Sequence, residues 1–301
     1  MDRRPFLKNL SLGASLSLLS SNQLFSGIYS NENFGLNYAP HLGMFENSAG
    51  SDIMDQIYFM SDMGFKSFED NTMKSRNLST QNKISKALQN KEMTMGVFVA
   101  HRIYWDKPNL ASGDRGYQEE FLKDIKDSVE VAKRVNAKWM TVVPGLLDQR
   151  KNLSYQTANV IETLKKASNI LEPHNLVMVL EPLNFRDHPG LFLSRSPQAY
   201  QICKSVNSPS CKILFDIYHQ QIQEGNLIPN IESCWDQIGY FQIGDNPGRK
   251  EPLTGEINYR NVFKFIKDQN YTGILGMEHG NSIPGIEGEK ALIEAYRAVD
   301  S

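Results

Sequence analysis

The sequence predicts an α/β fold, a closed (β/α)8 TIM barrel, and three observations carry that prediction. Short apolar runs alternate with helix-length amphipathic segments eight times from Phe34 onward. These units occupy about 265 residues, close to the ~250 of a typical barrel. An open doubly wound sheet is the rival, but one that binds nucleotides carries a Gly-rich turn after its first strand, and Asn37-Tyr38-Ala39-Pro40-His41 is not one.

The chain begins with a segment to be set apart from the fold. Asp2-Arg3-Arg4-Pro5-Phe6-Leu7-Lys8 precedes a charge-free, mildly apolar run from Leu10 to Leu19, the order of a signal peptide. The Arg3-Arg4 pair before Phe6-Leu7-Lys8 resembles a twin-arginine export signal. It predicts a signal over residues 1–30, cleaved between Ser20 and Ser30, a periplasmic product, and one barrel domain over 31–301. No later run reaches the ~18 apolar residues of a membrane span.

Strands are expected at Phe34–Tyr38, Ser67–Glu69, Met95–Ala100, Trp139–Val143, Val177–Glu181, Cys211–Phe215, Tyr240–Gln242 and Ile274–Glu278. The helices between them fall near Asp52–Met63, Thr80–Lys91, Tyr117–Val135, Ser154–Glu172, Ser196–Val206, Ile228–Gln237, Tyr259–Gln269 and Gly288–Val299. Phe121, Ile125, Val129 and Ala132 recur at helical spacing, while Ser196-Pro197 and Asn258 are helix-start signals. No internal repeat or domain boundary interrupts the series.

The charge balance argues against nucleic acid as partner: net charge is −2, without the basic excess that phosphate binding requires. Cys203, Cys211 and Cys234 are odd in number and lack CxxC spacing, which reads as buried thiols rather than a disulfide framework or thiolate metal site.

Four oxygen-bearing side chains stand at the ends of the last four strands: Glu181 in VLEPLN, Asp216 in LFDIYH, Gln242 in YFQIGD and Glu278 in GMEHG. Their separations of 35, 26 and 36 residues are each about one βα unit, so a barrel gathers them at one mouth. Singly, each acid is equally at home as a helix cap or salt-bridge partner. Three converging carboxylates repel one another unless a cation balances them. An all-oxygen set with an amide carbonyl favours Mg²⁺ or Mn²⁺, with Co²⁺ as a third choice. His219 lies three residues beyond Asp216, and Arg249 sits in the loop Asp245-Asn246-Pro247-Gly248-Arg249, where its fork suits a substrate hydroxyl or carboxylate. The Gly- and aromatic-rich loop from Arg102 to Tyr117 reads either as a lid or as a long surface connection.

FDIYHQQIQEGNL, GYFQIGDNPGRKEPLTGEINY and GMEHG together resemble the hydroxypyruvate isomerase family of the xylose isomerase-like barrels, which also include ketose 3-epimerases. The likeness is strongest from Glu181 to Glu278 and collinear from Phe34. It implies that Glu181, Asp216, Gln242 and Glu278 are the metal ligands, that Glu181 and Glu278 are the acid/base pair, and that His219 and Arg249 hold substrate oxygens. Glutamine at the third ligand position is the isomerase-like choice; the epimerases generally carry histidine. Gly113-Asp114-Arg115-Gly116 resembles the family's loop after the third strand, whereas His101-Arg102-Ile103-Tyr104-Trp105 departs from it. The expected activity is isomerisation of a small sugar or hydroxy-carbonyl compound through an enediolate, with two glutamates moving the proton. A ketose 3-epimerase, a keto-sugar lyase and a non-catalytic sugar-binding barrel are the alternatives. A barrel endonuclease would need more histidine ligands and a basic groove.

Overall fold

The computed structural model describes residues 33–300; the expected export signal lies outside the described residues. Eight parallel strands, β1 (Asn37–Pro40), β2 (Ser67–Phe68), β3 (Thr94–Met95), β4 (Trp139–Val142), β5 (Val177–Leu180), β6 (Cys211–Asp216), β7 (Ile238–Ile243) and β8 (Ile274–Met277), alternate with helices. Six of them form one sheet in the order β1-β8-β7-β6-β5-β4, and β2 pairs with β3. Two single bridges, His41 to Glu69 and Val99 to Thr141, join the two pieces. Around these bridges Glu69 N donates to the carbonyl of Pro40, and Thr141 N to that of Phe98. The ring is therefore closed, with its weakest pairing at β2 and β3.

The helices are α1 (Glu46–Ala49), α2 (Ile53–Asp62), α3 (Leu78–Asn90), α4 (Arg115–Val135), α5 (Leu153–Leu171), α6 (Ser196–Val206), α7 (Ile217–Gln223), α8 (Leu227–Cys234), α9 (Tyr259–Asp268) and α10 (Gly285–Val299). Polar caps set many of their starts. Asp52, Asn77, Asp114 and Asn152 accept from first-turn amides of α2, α3, α4 and α5. Asn136 and Asn207 end α4 and α6 in left-handed geometry at φ 53° and 54°, a conformation asparagine tolerates.

Alternation along the strands sorts side chains into two cores. Val177 and Val179 of β5 face the lumen with Ala39, Val97, Leu214, Tyr240 and Ile274. Met178 and Leu180 face the helix layer, into which α9 inserts Tyr259, Val262, Phe263 and Ile266. The lumen is thus filled, and a ligand can enter only at the strand ends.

Three expectations shift. The first strand begins at Asn37 rather than Phe34, because Phe34 stacks on Phe65 at 4.8 Å while the amides of Gly35 and Leu36 donate to the Asp300 carboxylate. The Tyr38 hydroxyl joins the same carboxylate, tying β1 to the end of α10. The third strand is only Thr94–Met95, its continuation touching β4 through the single Val99 bridge. An extra helix, α7, follows β6 directly, because Asp216 Oδ1 accepts from the amides of Tyr218 and His219.

Candidate active site

Asp216 and Gln242 are register partners on β6 and β7, so their side chains share one layer of the mouth. Both are buried at 1% exposure. Glu181 follows β5 and Glu278 follows β8, and both line a cavity of about 220 Å³ with His219, Arg249, Asn71 and Trp105. The barrel brings all six sequence-predicted site residues together.

Asp216 does two jobs at once. Its Oδ1 caps α7, while Oδ2 accepts from Arg249 Nη2 at 3.1 Å. Arg249 Nη2 also reaches Glu278 Oε2 at 2.6 Å, and Nε donates to the Glu278 carbonyl at 3.0 Å. Buried Asp245 positions this arginine by accepting from the amides of Asn246, Gly255 and Ile257, while its own amide donates to the Lys250 carbonyl. Arg249 takes φ 50°, a left-handed conformation that a bulky residue adopts at a cost. The guanidinium packs 4.9 Å over the Tyr218 ring.

One guanidinium does not balance three carboxyl groups. Burial pushes the Glu181 carboxyl well above its usual range, and the charges of Glu278 and Asp216 push it further. Glu278 rises to about 7, through burial first and then Asp216, even though Arg249 and His41 oppose the shift. Burial opposes the charge of Arg249, but Glu278 and Asp216 outweigh it and hold the guanidinium above its ordinary value.

His219 stands 3.6 Å from Asp216 Oδ2 and 3.9 Å from Glu181 Oε1, near enough for Glu181, Asp216 and His219 to form a ligand cluster. Its Nδ1 accepts from the backbone amide of Asn184 at 3.3 Å, with the Asn184 side-chain nitrogen at 2.6 Å. That places the ring proton on Nε2, the atom facing the carboxylates, and makes it a donor rather than a lone pair for a metal. Burial above all holds the ring near pKa 4, so it is neutral at pH 7.

The residues present fit a divalent cation. Gln242 Oε1 is buried with no hydrogen-bond partner, while its Nε2 donates to Glu69 Oε1 at 2.8 Å. An orphan amide oxygen beside Asp216, in a site with surplus carboxyl groups, is the donor set of a hard cation.

Several contributors had no readable signal. Asn71 Nδ2 donates to Glu278 Oε1 at 2.7 Å. Asn184 orients His219, and His188 stacks on Trp105 at 5.0 Å over the cavity. Ile103 and Trp105 line the cavity, so the first part of the segment from Arg102 to Tyr117 borders the site. Gly113 and Asp114, from the motif resembling the family's third loop, form the turn and cap that start α4.

The fold and this mouth define a class, and comparison with known proteins agrees. The xylose isomerase-like TIM barrel family matches residues 57–299, and the chain belongs to it. Among curated relatives, hydroxypyruvate isomerase of Escherichia coli K12 is 34% identical over 175 residues, 56% of this chain and 68% of that protein. The 2-oxo-tetronate isomerase of Cupriavidus necator is 32% identical over 193 residues, 62% of this chain and 72% of its own length. Among solved structures, a family 2 AP endonuclease from Brucella melitensis aligns with TM-score 0.75 at 24% identity, covering 84% of this chain and 96% of its own. D-psicose 3-epimerase from Clostridium cellulolyticum H10 aligns at 0.67 with 17% identity, covering 88% and 91%. At these identities the structural likenesses speak for the fold.

Proposed function

We propose that this protein is a metal-dependent isomerase of a small sugar or hydroxy-carbonyl compound, acting by proton transfer between adjacent carbons. The observation that carries the proposal is the pairing of Glu181 and Glu278 on one cavity, beside a buried Gln242 oxygen with no partner. The relatives named hydroxypyruvate isomerase and 2-oxo-tetronate isomerase support the isomerase class.

Glu181, Asp216, Gln242 and Glu278 would hold the cation, Mg²⁺ or Mn²⁺ by the hardness of the set, with Co²⁺ as a third candidate. When bound, it would acidify the substrate's C–H and stabilise the enediolate by drawing charge from the carbonyl and hydroxyl oxygens. Glu181 and Glu278 form the proton-transferring pair: both face the one cavity, so one can take the substrate proton and the other return it. His219, donating from Nε2, and Arg249 hold substrate oxygens. Ile103 and Trp105 supply apolar walls to the cavity.

A keto-sugar 3-epimerase is the second reading, favoured by the roughly 220 Å³ cavity and by Trp105, which is 52% exposed beside it and offers a face for a sugar ring. The deciding experiment incubates metal-loaded protein in D₂O with hydroxypyruvate, tetroses, hexoses and 3-keto sugars, following deuterium uptake and product identity. Isomerisation of a hydroxy-carbonyl acid or aldose supports the first reading, and inversion at C3 the second. Absence of exchange with every substrate would leave a sugar-binding barrel. Periplasmic export through the Arg3-Arg4 segment is part of the proposal, and cell fractionation with an Arg3→Lys/Arg4→Lys variant tests it.

A further inference from the structure

Glu69 lies at the end of β2, completely buried, in neither the ligand set nor the acid/base pair. It reaches past β1 and β8 to the β7 side chains. Its Oε1 accepts from Gln242 Nε2 at 2.8 Å and contacts His41 Nε2 at 2.6 Å, and its Oε2 accepts from the Tyr240 hydroxyl at 2.6 Å. The passage exists because β8 carries Gly276 as the register partner of Gln242; a Cβ there would collide with Glu69 Oε2.

We propose that Glu69 is a positioning residue that decides which atom of the Gln242 amide faces the cation. A glutamine side chain presents either its oxygen or its NH₂ to a neighbour, and the two ends have nearly the same shape. A carboxylate behind it can accept but not donate, so it captures the NH₂ and turns the oxygen away. Gln242 Oε1 is the atom left without a partner. Reversal of the amide would point two donors at the cation and two oxygens at each other. Tyr240 and His41 hold the carboxylate so that it cannot rotate out of this role, and Gly276 gives it room. The inference rests on the metal-dependent reading and deepens it: cation affinity is set partly by a residue that touches no cation.

The test is Mn²⁺ titration of the metal-free full chain by calorimetry and by electron paramagnetic resonance. Outer-shell partners of metal ligands are typically worth about 10- to 100-fold in affinity. Glu69→Gln, which can present either an acceptor or a donor to Gln242, is expected to weaken Mn²⁺ at least tenfold. Tyr240→Phe removes one of the two groups that hold the carboxylate but leaves His41 and Gln242 on Oε1, so it is expected to weaken Mn²⁺ less than Glu69→Gln does; a loss as large as that of Glu69→Gln would show disturbed packing rather than amide orientation and overturns the positioning role. The exchange Glu69→Gln/Gln242→Glu reverses the hydrogen bond while returning an oxygen to the cation side, so it is expected to recover most of the affinity. Gly276→Ala reaches the same endpoint by steric displacement and serves if Glu69→Gln does not fold. Wild-type binding of Mn²⁺ with unchanged affinity in Glu69→Gln, or in Gly276→Ala, overturns the positioning role while leaving the metal site standing. Failure of the wild-type protein to bind Mn²⁺ at millimolar concentration overturns the metal reading, and this inference with it.

Discussion

Replacing Glu278 with glutamine should stabilise the metal-free protein at pH 8 relative to pH 5. In the native state the carboxyl titrates near 7, raised from 4.5 by burial and by Asp216. Below both values the group is protonated in folded and unfolded chains alike and costs nothing. As pH rises from about 4.5 towards 7 the unfolded chain releases its proton first, so native stability falls; above 7 the full cost is present. At 1.36 kcal/mol per tenfold change, the wild-type chain loses about 2–3 kcal/mol between pH 5 and pH 8 through this group alone. Glutamine does not titrate, so the difference between variant and wild type should widen by that amount. For a domain of this size it corresponds to roughly 4–6 °C in Tm. Thermal melts in EDTA at the two pH values give the comparison, and any pH-independent loss of the Arg249 contact cancels. A variant-minus-wild-type difference that does not grow with pH would refute the claim that burial and neighbouring charge burden Glu278. Saturating Mn²⁺ should remove the wild-type deficit at pH 8.

Other perturbations separate the roles of the mouth residues. Glu181→Gln and Glu278→Gln should each lower deuterium exchange about 10²- to 10⁴-fold, read by NMR, whereas near-normal turnover in either removes it from the proton pathway. Trp105→Ala should raise KM for a hexose more than it lowers kcat, since Trp105 lines the cavity edge without touching the ligand set; an unchanged KM assigns the stack with His188 a purely structural role. Asn184→Ala removes the side-chain contact to His219 Nδ1 but keeps the backbone amide that donates to it, so the Nε2-protonated tautomer should persist in ¹⁵N spectra of the imidazole; a shift of the proton to Nδ1 would show that the side chain, not the backbone, sets it. Phe263→Ala, in the core between α9 and the sheet, should cost about 3–5 kcal/mol in denaturant unfolding without altering Mn²⁺ affinity.

The oxygen-bearing side chains at the ends of the last four strands were legible because a barrel turns a linear spacing into a ring, and Glu181, Asp216, Gln242 and Glu278 recur at about one unit each. The fold followed from the alternation of apolar runs and helical segments, and the family from the resemblance carried by FDIYHQQIQEGNL, GYFQIGDNPGRKEPLTGEINY and GMEHG. Glu69 stayed illegible for a related reason. It too ends a strand, but its meaning comes from partners 28, 171 and 173 residues away, and nothing in its local sequence distinguishes it from a surface acid. Helix α7 was hidden because the residue that caps it had already been read as a ligand, and Asp216 uses a different oxygen for each task. The tautomer of His219 depends on a backbone amide from the neighbouring loop, which no composition rule encodes.

The clasp of Asp300 on Gly35, Leu36 and Tyr38 ties the chain entering β1 to the end of α10. It anchors the entry to β1 at the rim opposite the mouth, beside the C-terminal end of α10. A fusion partner, bead or surface joined ahead of Gly35 would therefore leave the cavity facing outward. Immobilisation through that end should preserve substrate access, while a tether grafted into the Asp245–Lys250 loop would block the doorway.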